Sequence, residues 1–145
     1  NIEIVNGSVS GSTSAGGLNI AEWTLSENNI DLMILCLGAN DMLRGINPKE
    51  TKNNLEEIIK IAKNKNIKVV IAGMIAPTSY GFSYKKSFDK IFSDLSKKYK
   101  LQLIPFLLEG VAQKPEFNLS DGMHPNDQGT IIIGNTLKKA ILENL

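Results

Sequence analysis

The chain has 145 residues, 42% of them hydrophobic, which is enough for one domain with a core and too few for two ordinary ones. Sixteen basic residues against fifteen acidic ones leave a net charge of +1, so no field exists to draw in nucleic acid or an anionic membrane surface. No stretch reaches the ~20 apolar residues of a membrane span, and the single cysteine, Cys36, has neither a disulfide partner nor a ligand cluster.

Short β-branched runs alternate with segments of helical period, the pattern of an α/β domain with a mostly parallel sheet. The first predicted strand is Ile2 to Val5. It leads into Asn6-Gly7-Ser8-Val9-Ser10-Gly11-Ser12-Thr13-Ser14, where small residues at a helix entry leave backbone N–H groups open to an anion. Gly and Ser are also ordinary turn and cap residues, so this loop alone decides nothing. A helix is expected from Ser14 to Asn28, with Leu18, Ala21 and Leu25 inward.

The second strand, Leu32 to Leu37, contains Cys36, which is expected to pack in the core. It runs into Leu37-Gly38-Ala39-Asn40-Asp41. Ligands bind at the carboxyl ends of parallel strands, and Asn40 puts an amide donor there that could reach an oxyanion. Asp41 reads equally well as a helix cap or a turn former.

The next helix starts at Asn47, with Pro48 in its first position and Glu50 placed to close a capping box. Its buried stripe is Leu55, Ile58, Ile59 and Ala62, at i, i+3, i+4 and i+7. A strand over Lys68 to Met74 is followed by a Gly-containing loop in which Tyr80 and Phe82 suit a lid or pocket wall. Phe88, Ile91, Phe92 and Leu95 then form a second stripe. The lysine clusters, Lys63 to Lys68 and Lys97 to Lys100, fall where cations complement the carboxyl end of a helix dipole.

After a strand over Leu101 to Ile104 comes Asp121-Gly122-Met123-His124-Pro125-Asn126, which holds the only histidine. An Asp three residues before a His can fold back to accept from Nδ1–H, fixing the tautomer and leaving Nε2 as a general base. A lone His is more often a surface or core residue, and the partner in a polar loop is what raises the catalytic reading beside it. The last helix is expected over Asn126 to Glu143, with Ile133, Thr136, Leu137, Ala140 and Ile141 inward.

Taken together, Val9-Ser10-Gly11-Ser12-Thr13, Gly38-Ala39-Asn40-Asp41 and Asp121-Gly122-Met123-His124-Pro125 resemble three sequence blocks of the SGNH (GDSL) hydrolase superfamily. The likeness is to its bacterial branch of acyl-thioesterases, lysophospholipases and arylesterases, and it extends to Met74-Ile75-Ala76-Pro77 and Tyr80-Gly81. It implies a three-layer αβα sandwich with a flavodoxin-like parallel sheet of order 2-1-3-4-5, and a single domain over residues 1–145. It also implies His124 as general base, Asp121 as the residue that orients it, and Gly11 and Asn40 as the oxyanion donors. The acyl chain would lie along Leu43, Met74, Ile75, Ala76 and Tyr80, although Met74 and Ile75 read as readily as core.

The implied reaction is serine-dependent cleavage of esters or thioesters of lipid-like acyl chains, in a water-poor cleft, with no metal or organic cofactor. The expected partners are a small-molecule substrate, with no nucleic acid and no stable membrane insertion. Relatives of this kind are often periplasmic or secreted. Two alternatives are a non-catalytic binding module on the same fold and a carbohydrate acetylesterase of the same superfamily.

One departure stands out. The block that resembles Gly-Asp-Ser-Leu and carries the nucleophilic serine has no counterpart here, and residue 1 already corresponds to the family's second strand. By analogy the domain is N-terminally incomplete by about 30 residues, a typical βα unit. Ser8, Ser10, Ser12 and Ser14 belong to the oxyanion loop, and Ser120 precedes the acid, so none suits the role. The expectation is that the segment is present as a separate or unrecorded chain, seated between the strands at Ile2 and Leu32. Those strands would then lie ~10 Å apart, and direct hydrogen bonding between them would refute it.

Overall fold

The computed structural model describes residues 2–26 and 29–144. In chain order it contains α1 (Ser14–Thr24), β1 (Leu32–Leu35), α2 (Ala39–Leu43), α3 (Pro48–Asn64), β2 (Lys68–Ala72), α4 (Phe82–Tyr99), β3 (Gln102–Ile104) and α5 (Asp127–Leu142), with 3-10 turns at Thr78–Tyr80 and Pro115–Phe117. The three strands form one parallel sheet of order β1-β2-β3. Met33 lies opposite Val69, and Ile71 opposite Leu103.

Side chains alternate across a strand, so each strand serves two cores. Met33, Leu35, Val69, Ile71 and Leu103 face one side, against Ala21 and Leu25 of the α1 end and the stripes of α3 and α4. Every residue of the two expected stripes is buried. Val70, Ala72 and Ile104 face the other side, against Ile133, Leu137 and Ala140 of α5. Helices on both faces of a parallel sheet give the three layers. A fully buried Leu55, Ile59 or Phe88 contributes roughly 1.5–3 kcal/mol of transfer free energy.

Local signals set the helix starts. Asn47 caps α3 by accepting from the Lys49 N–H at 3.0 Å, and Pro48 occupies the first turn, where a missing N–H costs nothing. The cap is not the expected reciprocal box, since Glu50 meets Asn47 only through its main-chain N–H. Asn126 caps α5 by accepting from Gly129 at 3.0 Å. The first helix begins at Ser14 as expected and ends at Thr24, while Glu27 and Asn28 at the end of the expected span lie outside the described residues.

Several expectations change. Residues Ile2 to Val5 are not a strand: they make no ladder, and Ile4 is 79% exposed. An extended run becomes a strand only by pairing, and neither β1 nor any other described residue pairs with it. The strand expected over Leu32 to Leu37 ends at Leu35, because the chain must turn into the left-handed backbone of Gly38, and the one expected over Lys68 to Met74 ends at Ala72. Cys36 is exposed rather than packed. It shares the face of Leu32 and Ile34; of these three only Leu32 packs against the cluster that contains Ala140 of α5.

Candidate active site

Two parts of the chain that are far apart in sequence lie toward one end of this sheet. Asn40 opens α2, directly beyond the carboxyl end of β1. At the opposite end of the sheet, Lys68 of β2 donates to the Asn144 carbonyl at 2.7 Å, and Gln102 of β3 donates to Glu143. The tail of α5 therefore sits at the amino ends of the strands. Sixteen residues of α-helix span ~24 Å, which carries the start of α5, and His124 just before it, to the carboxyl ends.

The loop before α1 is gripped by α2. Ser12 donates its N–H to the Val9 carbonyl at 3.1 Å, closing a turn in which Gly11 has φ +73°, the conformation a type II turn demands at its third position. The Gly11 N–H has no acceptor among the described residues. Asn40 donates one amide N–H to the Ser12 carbonyl at 3.1 Å, which orients the group and leaves its second N–H for another acceptor. Arg44, one turn further along, donates to the Gly11 carbonyl at 3.0 Å.

Beneath these contacts lies Asp41, 0% exposed. Its carboxyl accepts from the Ser14 N–H at 2.7 Å, from the Ser14 hydroxyl, and from the Thr51 hydroxyl at 3.0 Å. Asn54 in turn donates to Ser14 Oγ at 3.0 Å. An acidic group at the start of α1 is stabilised by the helix dipole as well as by these donors. Asp41 is therefore a buried tie between α1, α2 and α3, a role that its sequence position left open between cap and turn. Gly38 makes the entry to α2 possible: its φ is +114°, and a Cβ there would lie 3.3 Å from Phe92 Cζ.

The base arm is built locally. His124 Nδ1 lies 2.6 Å from Asp121 Oδ2, and Asp121 Oδ1 accepts from the main-chain N–H groups of Met123 at 2.8 Å and His124 at 2.9 Å. Those donors, the His124 N–H first and its ring second, hold the Asp121 carboxyl down at about 2. Nδ1 is thereby committed, and Nε2 has no partner among the described residues. The loop is closed by the Leu119 N–H donating to the His124 carbonyl at 2.7 Å. It is moored by buried Asn118, whose amide donates to the carbonyls of Val111 at 2.8 Å and Lys114 at 2.7 Å. Asn118 was invisible in the sequence, since one Asn in a long loop carries no pattern. His124 is 69% exposed at its side chain, so the described residues alone do not build the expected water-poor cleft around it.

The expected acyl-binding residues divide into two groups. Leu43 and Ile75 are exposed, and Tyr80 is half-buried and stacks on Tyr84 at 5.5 Å between ring centroids. Met74 packs against both cores, and Ala76 is buried in the main one. The Ala76 backbone is held at both polar groups: its N–H donates to Asp89 at 2.8 Å, and its carbonyl accepts from Lys85 at 2.7 Å. The described residues hold no group of three or more His, Cys, Asp or Glu side chains fit for a metal, and no helix is long and apolar enough to cross a membrane.

Comparison with known proteins identifies the family. Residues 1–130 match the GDSL-like Lipase/Acylhydrolase family. An arylesterase of Vibrio mimicus is 35% identical over 144 residues, covering 99% of this chain and 72% of that protein. Thioesterase 1/protease 1/lysophospholipase L1 of Escherichia coli (strain K12) is 33% identical over 138 residues, covering 95% of this chain and 66% of that protein. The crystal structure of TesA superposes with a TM-score of 0.92 at 32% identity, covering 99% of this chain and 79% of that one. The chain thus spans 61–72% of the length of these and a further curated relative, and it belongs to the GDSL-like lipase/acylhydrolase family, the SGNH hydrolases.

Proposed function

We propose that this domain cleaves carboxylic esters or thioesters of lipid-like acyl chains by transferring the acyl group to a serine and then to water. His124 Nε2 takes the proton from the serine hydroxyl as its oxygen attacks the carbonyl carbon, while Asp121 holds the ring and stabilises the imidazolium. The Gly11 N–H and the free N–H of Asn40 receive the oxyanion. Collapse of the tetrahedral intermediate expels the alcohol or thiol, which leaves with the proton from His124. Water, activated by the same ring, releases the acid. The observation that carries the reading is the Asp121–His124 pair, held at 2.6 Å, and the grip of Asn40 on the Ser12 carbonyl beside Gly11 supports it.

The nucleophile comes from a βα segment outside these 145 residues, seated against the outer edge of β1. Two observations support this. The first strand is hydrogen-bonded on one side only among the described residues, whereas parallel strands are normally covered and paired. The nearby Ser14 hydroxyl is buried and committed to Asp41 and Asn54. Exposed Leu43 and Ile75, and the word lysophospholipase in the name of the Escherichia coli relative, favour a lipid-like chain over an acetyl group.

In the full-length protein, Asn40→Ala should lower kcat on the order of 10²–10³-fold with little change in KM, and His124→Ala should lower it further. Chromogenic esters from acetyl to long acyl, together with acyl thioesters, provide the assay. Wild-type turnover by His124→Ala would remove the triad, and a preference for acetyl esters would move the substrate class to carbohydrate esters. Intact mass after labelling with a serine-directed phosphonate would locate the nucleophile.

A further inference from the structure

We infer that Arg44 is a positioning residue for the oxyanion pair, an inference that rests on the reading of Gly11 and Asn40 above. Asn40 lies in α2 and Arg44, four residues on, caps its end, so the two project from one side of it. From that side they hold two consecutive carbonyls, Ser12 through Asn40 at 3.1 Å and Gly11 through Arg44 at 3.0 Å. The loop has few other holds on this side. Ser8 to Gly11 are all exposed, and apart from the Val9–Ser12 turn the only bond there is a local one from Ser8 to Asn6. Arg44 therefore sets the distance between the two groups that must meet one oxygen.

Its charge acts in the same direction. The guanidinium lies 4.0 Å from the point where a Gly11 Cβ would stand, so a positive charge lies close to the backbone of the residue that carries the proposed oxyanion N–H. A neutral ground-state carbonyl gains little from it, and a tetrahedral oxyanion gains more. The effect belongs in kcat. Arg44 is itself exposed and lies outside the core, so its loss need not unfold the protein.

The test uses the full-length enzyme with Arg44→Ala, Arg44→Lys and Asn40→Ala in parallel. Arg44→Ala should lower kcat about tenfold, leave KM within about twofold, and melt with the wild type. It should weaken a tetrahedral boronate or phosphonate inhibitor by a similar factor. Arg44→Lys, which keeps the charge and a donor, should recover most of the rate. A kcat within about twofold of wild type in Arg44→Ala, a change confined to KM, or failure of Arg44→Lys to recover overturns the inference. If Asn40→Ala is impaired while Arg44→Ala is not, only the role of Arg44 falls. If Asn40→Ala also turns over normally, the oxyanion reading itself falls.

Discussion

Asp41→Ala tests whether the oxyanion loop is held from beneath. The substitution takes the acceptor from three donors in a site closed to water. The Ser14 N–H cannot turn away, and an orphaned buried donor costs about 1–3 kcal/mol. The Ser14 and Thr51 hydroxyls can rotate to other acceptors, so about 0.5–1 kcal/mol each is the fair charge. Losing negative charge at the start of α1 adds about 0.3–1 kcal/mol. The expected loss is about 2–6 kcal/mol, a large share of a ~5–15 kcal/mol stability. With a urea m value of ~2 kcal/mol/M, the unfolding midpoint should fall by about 1–3 M. Asp41→Asn keeps an acceptor for the Ser14 N–H and should lose about half as much. If Asp41→Ala unfolds within ~0.5 kcal/mol of wild type, the range of an ordinary surface change, the buried tie is not what holds these helices.

Two more predictions concern the base arm and the entry to α2. Asp121, whose carboxyl is held at about 2 against an ordinary 3.8, favours the folded loop fully above about pH 3.8 and loses that contribution as pH falls through about 2. A carbon-detected NMR titration should therefore show its midpoint well below 3.8, and a midpoint at or above that value would mean the three donors are not engaged. Gly38→Ala forces a Cβ into left-handed backbone against Phe92 and Thr51. It should cost about 1–3 kcal/mol, seen as a lowered Tm, and an unchanged Tm would show that the turn can relax without strain.

The helical layers were legible because periodicity is a local property. Leu55, Ile58, Ile59 and Ala62 are spaced to face one way whatever surrounds them, and they are all buried. The same holds for the Asn47 and Asn126 caps and for the Asp121–His124 pair, whose partners lie within three residues of each other. What failed depended on distant partners. Ile2 to Val5 has the composition of a strand but no neighbour to pair with. Cys36 sits in an apolar run, yet it is exposed and lies outside the cluster that Leu32, on the same face of β1, packs against. The buried tie at Asp41 joins residues 10 and 27 positions away, and the Arg44 bond spans 33, so neither leaves a mark in local spacing.

That contrast in sequence distance separates the two halves of the site in how they fail. The base arm is a short closed loop in which Asp121 meets His124 through neighbouring backbone, so a destabilised core leaves its 2.6 Å contact intact until α5 itself lifts. The oxyanion arm has no such independence. Gly11 and Asn40 are brought together by bonds running from α1 to α2 and α3, and each of those helices is held by the same buried stripe. Substitutions deep in that core, such as Ile58→Val between α1 and α3, should therefore disturb the placement of the oxyanion donors before they disturb the imidazole. The kinetic sign would be weakened binding of a tetrahedral inhibitor while the Asp121 titration stays where it was. Equal loss of both would mean that the two arms share one cooperative unit, and that the local closure of the His124 loop does not protect it.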